Sequence, residues 1–244
     1  IDLCLTFLFH TKGITERRQI MQRISENIML LGNGYFNFYV VGKATAALVE
    51  CGTTAGAAIF CEQWEQLKDK PDIRYIVILH SHFDHACGIS VLKQKFPQAQ
   101  VVASAPAQRI LSKDKIVADL YKNDAVVSAN YLENRLIGQP PLFSTPATIP
   151  VDIVAGEDFC LPLGEGLQLK FIEAPGHSVC SLAAYLENDR AMMVSDATGY
   201  RFADGQVSPV FFGGFDDYMQ TIRRLAAYPA KLIGPAHGTV VASE

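Results

Sequence analysis

A continuous apolar run over residues 73–79 ends on His80 and leads at once into Ser81-His82-Phe83-Asp84-His85. Few folds can accommodate that order. The apolar run reads as a buried strand, and the loop it delivers carries three imidazoles and a carboxylate within six positions. Clustered ligands of these types suit zinc or iron. On a loop, neighbouring residues can face different centres, so His80 and His82 can share one ion while Asp84 and His85 turn toward a second. Five of the six histidines lie in this loop or in two glycine-flanked turns, Gly176-His177 and His237-Gly238. A glycine beside each supplies the backbone freedom needed to aim a ligand inward. Asp196, at the end of the short apolar strand Met192-Met193-Val194, is the further candidate carboxylate. Taken singly, each has an ordinary role, as a polar surface loop or a turn aspartate; their concentration disfavours that reading.

Around these residues the pattern is that of one mixed α/β domain. Three strands at 28–31, 36–41 and 45–50, separated by turns containing glycine, predict an antiparallel meander. Helical spacing follows over 55–68 and 88–96, with a strand at 100–103 between the second helix and a mainly helical stretch over 106–136. The segment 138–150, with four prolines, is an irregular connection. Strands follow at 151–154, 167–173, 181–187 and 191–194, then a helix at 216–227 and a strand at 231–233. Several strands end on a residue of chemical interest: Pro175-Gly176-His177, Ser195-Asp196 and Pro235-Ala236-His237. Strand ends converging on one edge build a site. Two strand-rich halves joined near 140–165 are suggested. The domain is placed at 28–244 with a helical insert at about 105–140, either a substrate lid or a plain surface helix pair; residues 1–27 are read as an extension.

The sequence resembles the metallo-β-lactamase superfamily, whose HxHxDH signature is present as His80, His82, Asp84 and His85. The match continues in order with Ala174-Pro175-Gly176-His177, Ser195-Asp196-Ala197 and Gly234-Pro235-Ala236-His237-Gly238. Four ordered motifs are far more specific than one. The resemblance implies a four-layer αββα sandwich with two divalent ions at one edge between the sheets. It implies that His80, His82 and His177 hold one ion, that Asp84, His85 and His237 hold the other, and that Asp196 bridges them. Zinc is the first expectation for the metal, with iron or manganese as alternatives. One departure is Cys87, where the family usually has glycine.

A pair of such ions yields a hydroxide nucleophile near neutral pH and polarises the substrate oxygen. Asp84 is the candidate catalytic residue, placed to orient that nucleophile or shuttle its proton. Tyr200, Arg201, Phe211 and Phe212 are the candidate substrate-binding residues, aromatics walling an acyl or aromatic group and an arginine meeting an anionic end. The stretch from Thr198 to Met219 is similar to the branch containing the quinolone-signal-pathway thioesterase, near the hydroxyacylglutathione hydrolases, which favours an ester or thioester. Alternatives are an iron-dependent oxidoreductase resembling the persulfide dioxygenases, a β-lactam hydrolase, or a non-catalytic signal-binding protein. The diiron reductases of this fold usually carry Glu where this chain has His82.

A net charge of -4 without long runs of one sign gives no footprint for nucleic acid. Six dispersed cysteines without a CxxC pair fit a reducing, cytoplasmic compartment. The opening apolar residues 1–9 are shorter than the roughly 20 a spanning helix needs, so no membrane association is expected; they read as an extra strand, a tag remnant or a truncated leader. The expected partner is a small-molecule substrate, and the expected assembly a homodimer. Cys87 and Cys180, each near a proposed ligand, are read as buried thiols rather than redox groups.

Overall fold

The computed structural model describes residues 20–202 and 204–242; the opening stretch 1–9 lies outside them. Seven strands form the first sheet in simple chain order: β1 (Ile20–Arg23), β2 (Ile28–Gly32), β3 (Asn37–Gly42), β4 (Thr45–Val49), β5 (Asp72–Val77), β6 (Gln100–Ser104) and β7 (Ile153–Ala155). The meander β1 to β4 is antiparallel, and β4 to β7 run parallel. The second sheet contains β8 (Cys160–Gly164), β9 (Leu167–Glu173), β10 (Leu182–Leu186), β11 (Ala191–Ser195), β14 (Leu232–Pro235) and β15 (Val241–Ala242), with β8 and β15 at its edges. A separate hairpin, β12 (Tyr200–Arg201) and β13 (Val207–Ser208), lies between β11 and β14 in the chain.

Strand alternation explains why these runs look uniformly apolar. In β3, Phe38 and Val40 face one core while Tyr39 and Val41 face another. In β4 the same split separates Ala46 and Leu48 from Ala47 and Val49. Successive side chains point to opposite faces, so a sheet covered on both sides needs apolar residues at every position. The outer face of the first sheet is covered by α1 (Thr54–Gln66), α3 (Ile89–Lys95), α4 (Ala105–Leu111) and α5 (Asp114–Glu133). Between the sheets, Tyr39, Val77 and Leu79 meet Phe171, Leu182 and Met193. On the far face of the second sheet, Ala183, Tyr185, Met192 and Val194 pack with Leu225 of α6 (Phe215–Ala226). The layers are therefore αββα, as the motif resemblance implied.

The helix ends are set locally. Thr53 caps α1 by accepting from the Gly56 N–H, and Ser104 caps α4 by accepting from Ala107. Asp124, buried on α5, adds a second acceptor at the same end of α1, taking the Thr54 N–H at 2.8 Å. The face of α5 carrying Val117, Tyr121, Asp124, Val127 and Tyr131 is buried, so the helical insert forms a wall of the outer layer.

Two features of the architecture differ from the sequence reading. Residues 20–23 pair with β2 from Ile20 opposite Gly32 to Arg23 opposite Met29, so the domain reaches back beyond 28. This edge strand is mostly solvent-facing, which is why no apolar pattern marked it. Strand β8 was hidden by Pro162, which an edge strand tolerates because its outer N–H needs no partner. The sheets join across 156–159, within the span expected. Among the described residues no helix is long and apolar enough to cross a membrane.

Candidate metal centre

The site lies where loops from both sheets meet. Strand β5 ends in the buried Ile76 and Val77, and the two residues after it, Ile78 and Leu79, are fully buried and deliver His80. His82 then stands at the N-cap of a one-turn helix, α2 (Phe83–Ala86), whose Asp84 and His85 are both buried. From the second sheet, His177 comes from the β9–β10 turn, Asp196 follows β11, and His237 follows β14. The β9–β10 turn requires glycine at 176: φ is +128°, and a Cβ there would lie 2.3 Å from the Tyr218 Cα.

These seven side chains converge in two groups. His80 Nε2 and His177 Nε2 each lie 3.1 Å from His82 Nδ1. Asp84 Oδ2 lies 3.6 Å from His85 Nε2 and 3.4 Å from His237 Nε2, and the two imidazole nitrogens are 3.3 Å apart. Asp196 stands between the groups, Oδ2 at 3.2 Å from His85 Nε2 and 3.5 Å from His177 Nε2, Oδ1 at 3.7 Å from His237 Nε2. Ligand atoms within 4.8 Å of one another occur as His80–His82–His177, His80–His85–Asp196 and Asp84–His85–His237.

Two observations test whether this set fits metal ions. Asp84 is buried, and neither of its oxygens has a hydrogen-bond partner. A buried carboxylate left in that state is costly unless it coordinates or pairs with a cation. Secondly, an imidazole that offers Nε2 to a metal carries its proton on Nδ1 and needs an acceptor there. Each such ring has one: Ser195 Oγ at 3.1 Å from His80, Glu50 Oε2 at 2.9 Å from His85, the Val210 carbonyl at 3.0 Å from His177, and the Tyr35 carbonyl beside His237. The residues fit two ions, with His82 contributing Nδ1.

The charges within the cluster divide along the same line. Burial and the neighbouring imidazoles push His80 well below its ordinary pKa, and burial with His177 brings His82 down to about 4. At His85 and His237 burial opposes the charged form, but Asp196 and Asp84 outweigh it and raise both. Burial likewise opposes ionisation of Asp84, yet His85 and His237 hold it at about 2. Asp196 is held well below the carboxylate range by His85 and His237 against the same burial cost. The rings of His80 and His82 are thus kept neutral, while the carboxylates favour positive charge on His85 and His237.

A family model for the metallo-beta-lactamase superfamily matches residues 32–237. The chain belongs to that superfamily. Among superfamily relatives, the anaerobic nitric oxide reductase flavorubredoxin of Aliivibrio salmonicida is 25% identical over 88% of this chain and 36% of its own length. The chain thus spans about a third of the flavorubredoxins it matches. The structure of the archaeal superfamily protein ST1585 from Sulfolobus tokodaii superposes with a TM-score of 0.65 at 20% identity, covering 86% of this chain and 77% of that one. The subclass B3 metallo-beta-lactamase BJP-1 of Bradyrhizobium japonicum gives 0.63 at 19% identity, covering 92% and 81%. At these identities the structural likeness speaks for the superfamily fold.

All seven ligand candidates named from the superfamily motifs come together. The four residues named for substrate are distributed more widely. The ring of Phe212 lies 5.7 Å from that of His82 and 5.6 Å from that of His177. Phe211 packs instead with Phe215 and Tyr218, and Tyr200 with Phe202. Arg201 lies along the β12–β13 hairpin, its Nη2 3.4 Å from where a Cβ on Gly205 would stand. The loop carrying the phenylalanines is laced to the His177 turn, with Phe212 N–H donating to the His177 carbonyl and Gly213 N–H to that of Gly176.

Glu50 escaped the sequence reading, and Ser195 entered it only as the neighbour of Asp196, without a role of its own. Both sit at the end of an apolar strand, the same signal that marked His80 and Asp196. Cys87 is buried and its thiol pKa is pushed far up, chiefly by that burial, which makes it an inert packing group. Cys180 is also buried, its Sγ 3.2 Å from the hydroxyls of Ser81 and Ser178.

Proposed function

We propose that this chain is a binuclear metal-dependent hydrolase acting on a small ester or thioester with an apolar acyl group, and that zinc is its metal. The observation carrying the reading is Asp196, whose two oxygens reach imidazoles of both ligand groups. When bound, two such ions supply an acidified water and polarise a substrate oxygen. The chain's own residues do the rest. Asp84 Oδ2 faces His85 and His237, which leaves Oδ1 to hold a proton during acyl transfer. Phe212 covers the edges of His82 and His177, keeps water from that side, and offers an apolar surface beside the ligands.

A diiron oxidoreductase is the second reading, favoured by the names of the flavorubredoxin relatives. Against it, His82 places a neutral imidazole where the diiron reductases usually carry Glu. The His80–His82–His177 group then has Asp196 as its one carboxylate, a poor environment for a highly charged oxidised iron. Protein purified without added metal, assayed on thioesters, lactones, phosphodiesters and β-lactams, tests the choice. Two zinc ions per chain with thioester turnover is the expected result. One iron with oxygen consumption on a persulfide, or two irons with nitric oxide consumption, would overturn it.

A further inference from the structure

Ser195 occupies a place that an unremarkable strand residue would not hold. It is the last residue of β11, 2% exposed, with φ of +51° in the left-handed region where side chains are strained and glycine is not. The β11–β14 pairing shifts register between Met193 and Ser195, so the strand departs from regularity at this point. The strain places a hydroxyl behind the ligand rings. Ser195 Oγ lies 3.1 Å from His80 Nδ1 and 3.4 Å from His85 Nδ1. His80 belongs to the His80–His82–His177 group and His85 to the Asp84–His85–His237 group, and the two also meet Asp196 in a third. The Ser195 carbonyl accepts the Ala236 N–H at 3.3 Å, directly before His237, and its chain neighbour is Asp196, which faces both groups from the other side.

We infer that Ser195 is a positioning residue that couples the two metal sites, so that loading one prepares the other. A hydroxyl oxygen has two lone pairs and can accept from two N–H donors at once. Metal on His80 Nε2 fixes its proton on Nδ1, directed at Ser195, and metal on His85 Nε2 fixes a proton on Nδ1 that lies between Glu50 and the same hydroxyl. Glu50 already holds His85 at 2.9 Å, so the shared hydroxyl matters most to His80 while remaining sensitive to His85. The inference rests on the two-metal reading of the site.

The experiment is a titration of metal-free protein with Co2+, followed by visible absorption and native mass spectrometry, for the natural protein, Ser195→Gly and Ser195→Ala. Glycine adopts the left-handed backbone without strain, so Ser195→Gly removes the hydroxyl while sparing the fold, which thermal melting of the metal-free protein verifies. The natural protein should take up two ions together. In both variants the His80 site should weaken about tenfold, the two ions should load in resolved steps, and the cobalt spectrum should shift. Natural constants and spectrum in Ser195→Gly would overturn the inference, as would weakening of one step with cooperative loading intact. Failure of the natural protein to bind two ions would instead overturn the metal-centre reading itself.

Discussion

Replacing Glu50 by Gln probes the most concentrated charge behind the ligands. Its Oε2 lies 2.9 Å from His85 Nδ1, and both residues are buried. Hydrogen bonds to charged groups contribute roughly 1.5–3 kcal/mol and neutral ones about 1. A glutamine can still accept from Nδ1 through its amide oxygen, so the substitution removes the charge and retains the contact. The loss is then about 0.5–2 kcal/mol, or roughly 2- to 30-fold in affinity at the Asp84–His85–His237 site. The backbone at Glu50 has φ of +77°, a cost that glutamine bears equally, so the comparison isolates the charge. Competition between the metal-free protein and a chromogenic chelator gives the stepwise constants. Constants within about twofold of the natural protein would show that the carboxylate does not tune His85, and the reasoning would fail.

Two further substitutions examine other parts of the molecule. Burial raises the Asp124 carboxyl to about 6, against hydrogen bonds from Thr54 that favour ionisation. The folded state therefore binds that proton more tightly than the unfolded state, and stability should fall by about 3 kcal/mol as pH rises from about 3 to 7. Urea melts of Asp124→Asn should lack that slope, and equal slopes in both proteins would refute the assignment. Phe212→Ala should lower kcat/KM about tenfold for esters with long apolar acyl groups while leaving acetyl esters nearly unchanged, from loss of roughly 1–2 kcal/mol of apolar contact. Equal losses on both substrates would place Phe212 in the support of His177 instead.

How much of this could be read from residues alone depended on whether the signal was local. His80 to His85 were legible because the loop follows a buried strand directly, and His177, Asp196 and His237 because each closes a motif at a strand end. The αββα layering came with those motifs. Glu50 was missed although it also follows an apolar strand, because a lone glutamate has no spacing to a partner 35 residues away. Ser195 was named only within the Asp196 motif because its role rests on a positive φ and a register shift, which sequence does not display. The substrate residues were chosen as an aromatic stretch, but loop packing turned Phe211 and Phe212 toward different neighbours.

Neither sheet owns the centre. Residues up to His85 supply four of the seven ligands, and residues from His177 onward supply the other three, with the join at 156–159 between them. Each ligand group draws on both halves, so ions held there would act as rivets through the seam. Sequence drift is constrained accordingly: a change that slides one sheet against the other misaligns both ligand groups together. Two strand-rich halves able to vary separately as scaffolds are, through seven side chains, obliged to evolve as one.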